Sequence, residues 1–321
     1  MTGEEGNDDR TGLAPDTAFQ ILGDETRMAI LQELGEAEEP LPFSTLFDRI
    51  DYDTTANFSY HLEQLEDHFV RQTSDGYTLQ QAGKRVVKAV LSGAVTDAPK
   101  LERTEYEKRT CPYCGGPLQI GYHHERVWMS CPDCPGTYGP SHAPGEPITP
   151  PNHGFLGHLR LPPAGLEGRT PADALETANI WGHLDFMAIA SGVCPRCGAR
   201  VAQRVTVCEA HALQDGLCAR CDCRHAVQLH SRCTTCIHEE TAPFVYGRLI
   251  ATVEVIDFLT SHGINPVAHE HGTDFGRALL DYDEEVLSVD PFEARFTLAA
   301  NDETLTVTVD DDLSVVHATR E

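Results

Sequence analysis

Eleven of the twelve cysteines in this chain, together with one histidine, fall into pairs separated by two residues. Cys111-Pro-Tyr-Cys114 and Cys131-Pro-Asp-Cys134 are separated by sixteen residues, enough for a β-hairpin between two knuckles. Four thiolates arranged this way suit a tetrahedral Zn²⁺, with rubredoxin-style iron as the alternative for the same donors. Further on come Cys194-Pro-Arg-Cys197, Cys208-Glu-Ala-His211, Cys218-Ala-Arg-Cys221 and Cys233-Thr-Thr-Cys236. These are eight ligands for two more ions, since a neutral imidazole fills a tetrahedral corner as well as a thiolate does. Sequential pairing, 194/197 with 208/211 and 218/221 with 233/236, makes two tandem ribbons. A cross-brace, first pair with third, is the arrangement that spacing leaves open. Cys223 is left over, either packed or the reactive thiol of a redox switch.

All three expected sites have four protein ligands and no open position, which marks structural rather than catalytic zinc. Such a segment, too polar to bury a core of its own, folds because metal binding supplies on the order of 10 kcal/mol per site. Residues 194–236 carry six arginines against three acids, which offset the charge of seven thiolates on two Zn²⁺ ions or could touch nucleic acid. Neither a Ser-His-Asp ordering nor a phosphate-cradling glycine loop occurs, and the acids have no paired-carboxylate context. No enzyme is expected. His123-His124 and His269-x-His271 read as exposed loop histidines, and Trp128 and Trp181 as core.

The elements that would position a second kind of chemistry lie before the cysteines. Over residues 54–65, TTANFSYHLEQL, Phe58, Leu62 and Leu65, continued by Phe69, form one apolar helical stripe. Asn57, Tyr60, His61 and Gln64 form another, all with hydrogen-bonding ends. Around it, PDTAFQIL predicts a short helix, and Asp24 caps ETRMAILQEL, with Met28, Leu31 and Leu34 inward. FSTLFDRI predicts another helix with Ser44 as N-cap. VRQTSDGYTLQ is a hairpin by its turn residues, and QAGKRVVKAVLSG is a last amphipathic helix. Helix, helix, turn, helix, hairpin, helix is the order of a winged helix-turn-helix.

LGDETRMAILQEL, STLFDRI and SYHLEQLEDHFV resemble the ArsR-type winged-helix transcription regulators, with Ser59-x-His61-Leu62 in the recognition helix. The whole chain is similar to the haloarchaeal members with appended zinc ribbons. The resemblance covers about a quarter of the chain. It implies a dimeric regulator of double-stranded DNA, a repressor rather than an activator. Ser59, Tyr60 and His61 match the family's contacting positions. Asn57 and Gln64 can pair with adenine edges, Arg71 can reach phosphate or minor groove, as can Lys84 and Arg85 beyond it, and Thr55 can touch phosphate. Thr54 and Thr55 can also cap the helix, and Arg27 would pack as a structural ion pair. FSTLFDRI has no cysteine and residues 81–93 have no His, Asp or Glu, so metal sensing at the family's usual positions is not implied.

Charge bears on both readings. The chain has 50 Asp+Glu against 24 Lys+Arg, a formal charge of −26, and only four of its basic residues are lysines. Abundant acids with scarce lysine suit hydration in molar salt, where the Debye length is about 3 Å; an acidic mesophilic protein would explain the acids but not the missing lysines. At that ionic strength DNA binding must lean on hydrogen bonds and shape rather than counterion release.

The expected organisation is multidomain α+β. Residues 1–14 are a disordered acidic tail with no signal-peptide character, and 15–100 the winged helix-turn-helix. Residues 101–140 form a zinc ribbon, following a charged connector over 93–110. The Pro/Gly-rich 141–170 are a linker: sixteen of the thirty-seven residues from 135 to 171 are Pro or Gly. A connecting helix, 171–192, starts at Thr170-Pro171 and leads to a double zinc module, 193–240. Residues 241–321 are an antiparallel α+β domain of no assigned role that could take an effector or a protein partner. Within it, residues 245–263 predict one helix, and Phe292–Leu298 and Leu305–Val309 predict two paired strands. No apolar run reaches membrane-spanning length, so a cytoplasmic protein is expected. The rival functions are a zinc-ribbon adaptor for protein or RNA and a thiol-based redox regulator.

Overall fold

Where apolar residues recur every three or four positions the chain is helical, and where they alternate it pairs as antiparallel strands. A computed structural model describes residues 12–142, 153–267 and 272–321. The fold is mixed α+β, in two units dividing after Asp97. Most of the expected acidic tail, and the His269-x-His271 pair, lie outside the described residues.

The first unit runs α1 (Pro15–Leu22), α2 (Glu25–Glu36), α3 (Phe43–Ile50), α4 (Thr55–Leu65), β1 (Val70–Thr73), β2 (Gly76–Leu79) and α5 (Gln81–Leu91). Asp24 caps α2 by accepting the Arg27 N–H at 3.0 Å. Ile30, Leu31, Leu46, Phe58, Leu62 and Leu65 form the centre of the core, each worth about 1.5–3 kcal/mol of burial. Ile30 rather than Met28 joins Leu31 and Leu34 inside. The rings of Phe43 and Phe47 meet Phe58 edge-on at 5.4 and 5.5 Å. Two expected caps are absent. Helix α3 starts two residues early, with Pro42 at its N-cap in place of Ser44, and Thr54 precedes α4 without a side-chain cap bond. The β1–β2 hairpin is tied to the strand-like Leu41 by reciprocal bonds with Tyr77 (3.0 and 2.8 Å). Gly76, at φ +135°, must be glycine: a Cβ there would lie 2.4 Å from the Leu41 carbonyl.

The second unit begins with an antiparallel sheet of β3 (Leu101–Thr110), β4 (Pro117–His123), β5 (Arg126–Ser130) and β6 (Phe155–Arg160), in that order. Two expectations fail here. Much of the charged connector is β3, and the Pro/Gly-rich segment contains β6, hydrogen-bonded to β5 from Arg126↔Arg160 to Ser130↔Phe155. The glycines that made it read as a linker serve close approach. A Cβ on Gly154 would lie 1.7 Å from the Cys131 carbonyl oxygen, and one on Gly136 2.4 Å from that of Phe155.

Helix α6 (Pro171–Ala190) is started by a capping box, Thr170 with Asp173, and lays Ala174, Leu175 and Ala178 on the sheet against Ile120 and Tyr122. Trp181, expected in the core, is 40% exposed. Beyond α6, β7 (Val201–Val207), β10 (Val227–Cys233) and β11 (Glu239–Pro243) make a second antiparallel sheet, and β8 (Leu213–Gln214) pairs with β9 (Leu217–Cys218).

The expected helix 245–263 is in fact α7 (Phe244–Arg248), a 3₁₀ turn at Leu249–Ala251 and α8 (Val253–Ser261). Thr252 is extended (φ −83°, ψ 148°) and breaks the run. The apolar spacing carries across the break because both pieces bury the same core. After α9 (Gly272–Leu280), β12 (Asp283–Val289), β13 (Phe292–Ala300), β14 (Glu303–Val309) and β15 (Val315–Arg320) form a meander in sequence order. One core extends from Ala190, Val227 and Leu229 through Phe244 and Phe258 to Phe296 and Val307. The boundaries expected near residues 192 and 240 therefore do not separate cores. No helix among the described residues is long and apolar enough to cross a membrane.

Candidate metal centres and an exposed helix surface

Three clusters bring the twelve expected ligands together: Cys111, Cys114, Cys131 and Cys134; Cys194, Cys197, Cys233 and Cys236; and Cys208, His211, Cys218 and Cys221. Within each, the donor atoms lie within 4.8 Å of one another. Facing sulfurs are 3.6 and 3.5 Å apart in the first cluster and 3.7 and 3.5 Å in the second. Metal–sulfur bonds of 2.3 Å in a tetrahedron require edges of about 3.8 Å. The spacing fits a tetrahedral metal ion.

The pairing differs from both arrangements considered from spacing. It is nested, first pair with fourth and second with third. The cause is the antiparallel pairing of β7 with β10, registered Val201↔Cys233 at one end and Val207↔Val227 at the other. Such a hairpin brings the residues flanking its open end together, 194–197 with 233–236. The chain joining β7 to β10 holds the other four ligands.

Three of the knuckles are built alike. The residue after the second cysteine has positive φ (Gly115 +74°, Gly198 +76°, Asp222 +54°), and its N–H bonds the first cysteine's carbonyl at 2.8–3.0 Å. The first cysteine's N–H then bonds the carbonyl five residues on: Gly116, Ala199 and Cys223. The cysteine left over by the ligand pattern therefore closes a knuckle through its backbone. Its side chain is 2% exposed, with Sγ 3.2 Å from His142 Nε2. The knuckles at Cys131 and Cys208 are held from outside, by the Gly154 carbonyl at 2.8 Å and the Ala226 carbonyl at 3.0 Å.

Without a cation these donors are a poor set of anions. Burial pushes the Cys111, Cys131 and Cys134 thiols up to about 11. Backbone N–H donors from Cys236 and Thr235 instead hold Cys233 down to about 6. A bound metal would replace the thiol protons. His211 Nε2 lies 3.0 Å from the Arg224 carbonyl. Donation there leaves Nδ1, 3.5 Å from Cys221 Sγ, as the ligating nitrogen.

On α4 the buried stripe is Phe58, Leu62 and Leu65, while Thr55, Asn57, Tyr60 and Gln64 are exposed and Ser59 is half-buried. Arg71 on β1 and Lys84 and Arg85 on α5 are exposed as well. His61 departs from its expected role. Its Nδ1 sits 3.3 Å from Asp24 Oδ1 and its Nε2 3.1 Å from the Tyr52 hydroxyl, so its ring is held in the fold and not offered outward. Arg27 joins this group, 3.8 Å from Asp24 Oδ2 and bonded to the Gln20 carbonyl at 3.0 Å.

Against known proteins, the family model described as "Domain of unknown function (DUF7351)" matches residues 108–315, more than half of the chain. The chain belongs to that family. The DUF7351 segment holds all three metal clusters, so the nested hairpin lies inside a single family unit. A second model, "Domain of unknown function (DUF7347)", matches residues 15–90, which span α1 to α5. No curated protein and no solved structure matches.

One feature of the DUF7351 unit has no signature in the sequence, a cavity of about 950 Å³ walled by the first sheet, α6 and the second sheet. Its lining comes from residues 109 to 280, and no local spacing announces it. Trp128, read as core, stands in its wall with His123 stacked on it at 5.0 Å.

Proposed function

We propose that this protein is a DNA-binding transcription regulator of the winged helix-turn-helix type, resembling the ArsR regulators, with three structural zinc sites. The observation that carries the reading is the division of α4. Phe58, Leu62 and Leu65 are wholly buried, while Asn57, Tyr60 and Gln64 stand in solvent with free amide and hydroxyl groups. An amide side chain on an exposed helix matches the paired donor and acceptor of an adenine edge in the major groove. Arg71 on the hairpin and Lys84 and Arg85 beyond it supply phosphate contacts. The protein acts as a cytoplasmic homodimeric repressor, with α5 and its exposed Leu91 joining the protomers.

Zinc is the metal of choice for four thiolates, or three and an imidazole, in closed tetrahedral sites. With no coordination position left for water, its role is to hold the β7–β10 hairpin and the β3–β6 sheet. A mobility-shift assay with the protein's own upstream DNA in molar KCl tests the regulator. A retarded band is expected; no shift by folded, zinc-loaded protein sinks the reading. The second reading, an adaptor binding a protein partner, draws on the exposed Ile180, Trp181 and Leu184 along one face of α6.

A further inference from the structure

A cavity of about 950 Å³ in a chain of net charge −26 ought to be acid-lined, yet its charged walls are mostly cationic. Arg126 on β5, Arg204 on β7 and Arg232 on β10 all face it. Among the described residues none of the three forms an ion pair with a carboxylate. The acids nearby are otherwise engaged: Glu176 holds Arg109, and Glu240 binds Arg160 at 2.7 Å. That leaves Glu125, the chain neighbour of Arg126, which forms no ion pair with it, and Glu239, exposed at the rim and registered across from Arg232. Arg126 is the telling residue. Its Nε is buried and has no hydrogen-bond partner, at a cost normally avoided inside proteins.

The remaining walls are aromatic and neutral. Trp128, Phe155, Phe186, Tyr246 and Phe275 supply ring faces and edges. His158 and His230 add polar groups; burial holds His158 down to about 4, so it contributes no charge at neutral pH. His230 is fixed between Thr206 and Thr241 at 2.8 and 3.0 Å. The volume is at the upper end of the range of small-molecule sites.

We infer that this cavity binds a small organic anion, a carboxylate, sulfonate or phosphate on an aromatic or aliphatic body, with Arg126 as its inner anchor and Arg204 and Arg232 at the mouth. An anionic oxygen on Arg126 Nε would satisfy the orphaned donor, and the rings would take the apolar body. The site is independent of whether α4 reads DNA.

The test uses the full, metal-loaded chain carrying Trp181→Phe, which leaves Trp128 as the sole tryptophan. The probes are 1-anilinonaphthalene-8-sulfonate and its uncharged analogue N-phenyl-1-naphthylamine, titrated in about 1 M KCl, where remote surface charges are screened. Saturable one-to-one binding of the sulfonate is expected, with energy transfer from Trp128 and an affinity at least about tenfold above the naphthylamine. Arg126→Met should remove that preference while leaving naphthylamine binding within about twofold. Arg204→Met, at the mouth, should weaken the sulfonate in the same direction and serves if the first variant does not fold. Equal affinities for the two probes, absence of saturation, or several equivalents bound without transfer from Trp128 would each overturn the assignment.

Discussion

The nested arrangement of ligand pairs can be tested by removing two sulfurs at once. Cys197 and Cys233 face each other at 3.5 Å across one cluster, although 36 positions apart in sequence. In the nested arrangement Cys197→Ser/Cys233→Ser cripples a single site. In a sequential arrangement the same pair takes one ligand from each of two sites. A structural site contributes on the order of 10 kcal/mol, and losing two of four thiolates should forfeit most of it. The affected site clamps the open end of the β7–β10 hairpin at Val201↔Cys233, while the other closes the chain between the two strands. Metal content of the purified variant, measured by elemental analysis against protein concentration, should fall from three equivalents to two. The matched variant Cys197→Ser/Cys208→Ser, with one ligand from each cluster, should fall to one. If the first variant lost two ions and the second only one, the β7–β10 account of the pairing would be wrong.

Other outcomes follow from particular contacts. His61→Ala should lower the first unit's stability by about 1–3 kcal/mol in urea unfolding, because it removes the imidazole contact to Asp24 and the partner of the Tyr52 hydroxyl; an unchanged midpoint would return His61 to the surface role expected from sequence. Gly154→Ala should destabilise the second unit by roughly 2–5 kcal/mol and loosen the first cluster. The new methyl meets the Cys131 carbonyl and the backbone is at φ +72°, and a variant with wild-type metal content and melting would contradict this. His225 is nine-tenths buried, donates to the Leu280 carbonyl at 2.7 Å and stacks on Tyr282 at 4.0 Å; burial holds it down to about 3. The unfolded chain, with an ordinary histidine near 6.5, binds more protons, so stability falls as pH drops from about 6.5 towards 3, by up to about 1.4 kcal/mol per pH unit. Comparing His225→Gln with the parent between pH 7 and 5 should show a shallower slope in the variant; identical slopes would refute the assignment.

The first unit's core and the ligand set were legible because both are local signals. Phe58, Leu62 and Leu65 recur at helical spacing, and each ligand pair sits two residues apart. What the sequence concealed is non-local. The nested pairing depends on the register of β7 against β10. The glycines at 136 and 154 resembled a linker because composition cannot distinguish flexibility from a backbone that must pass close to another. The break at Thr252 was hidden since α7 and α8 bury one continuous core. The stripe of His61 was read correctly as polar, but its partners Asp24 and Tyr52 lie on other elements. The cavity gathers residues from both sheets and α6, and nothing in any one segment marks it.

Whether the exposed amide face of α4 reads DNA is decided by Asn57→Ala/Gln64→Ala. Both side chains are exposed, so stability should stay within about 0.5 kcal/mol of the parent. Fluorescence anisotropy on the protein's own upstream duplex in molar KCl should show specific affinity falling at least about 30-fold, as expected for two lost bidentate base contacts. Unchanged affinity in a folded, dimeric, metal-loaded variant would contradict the account.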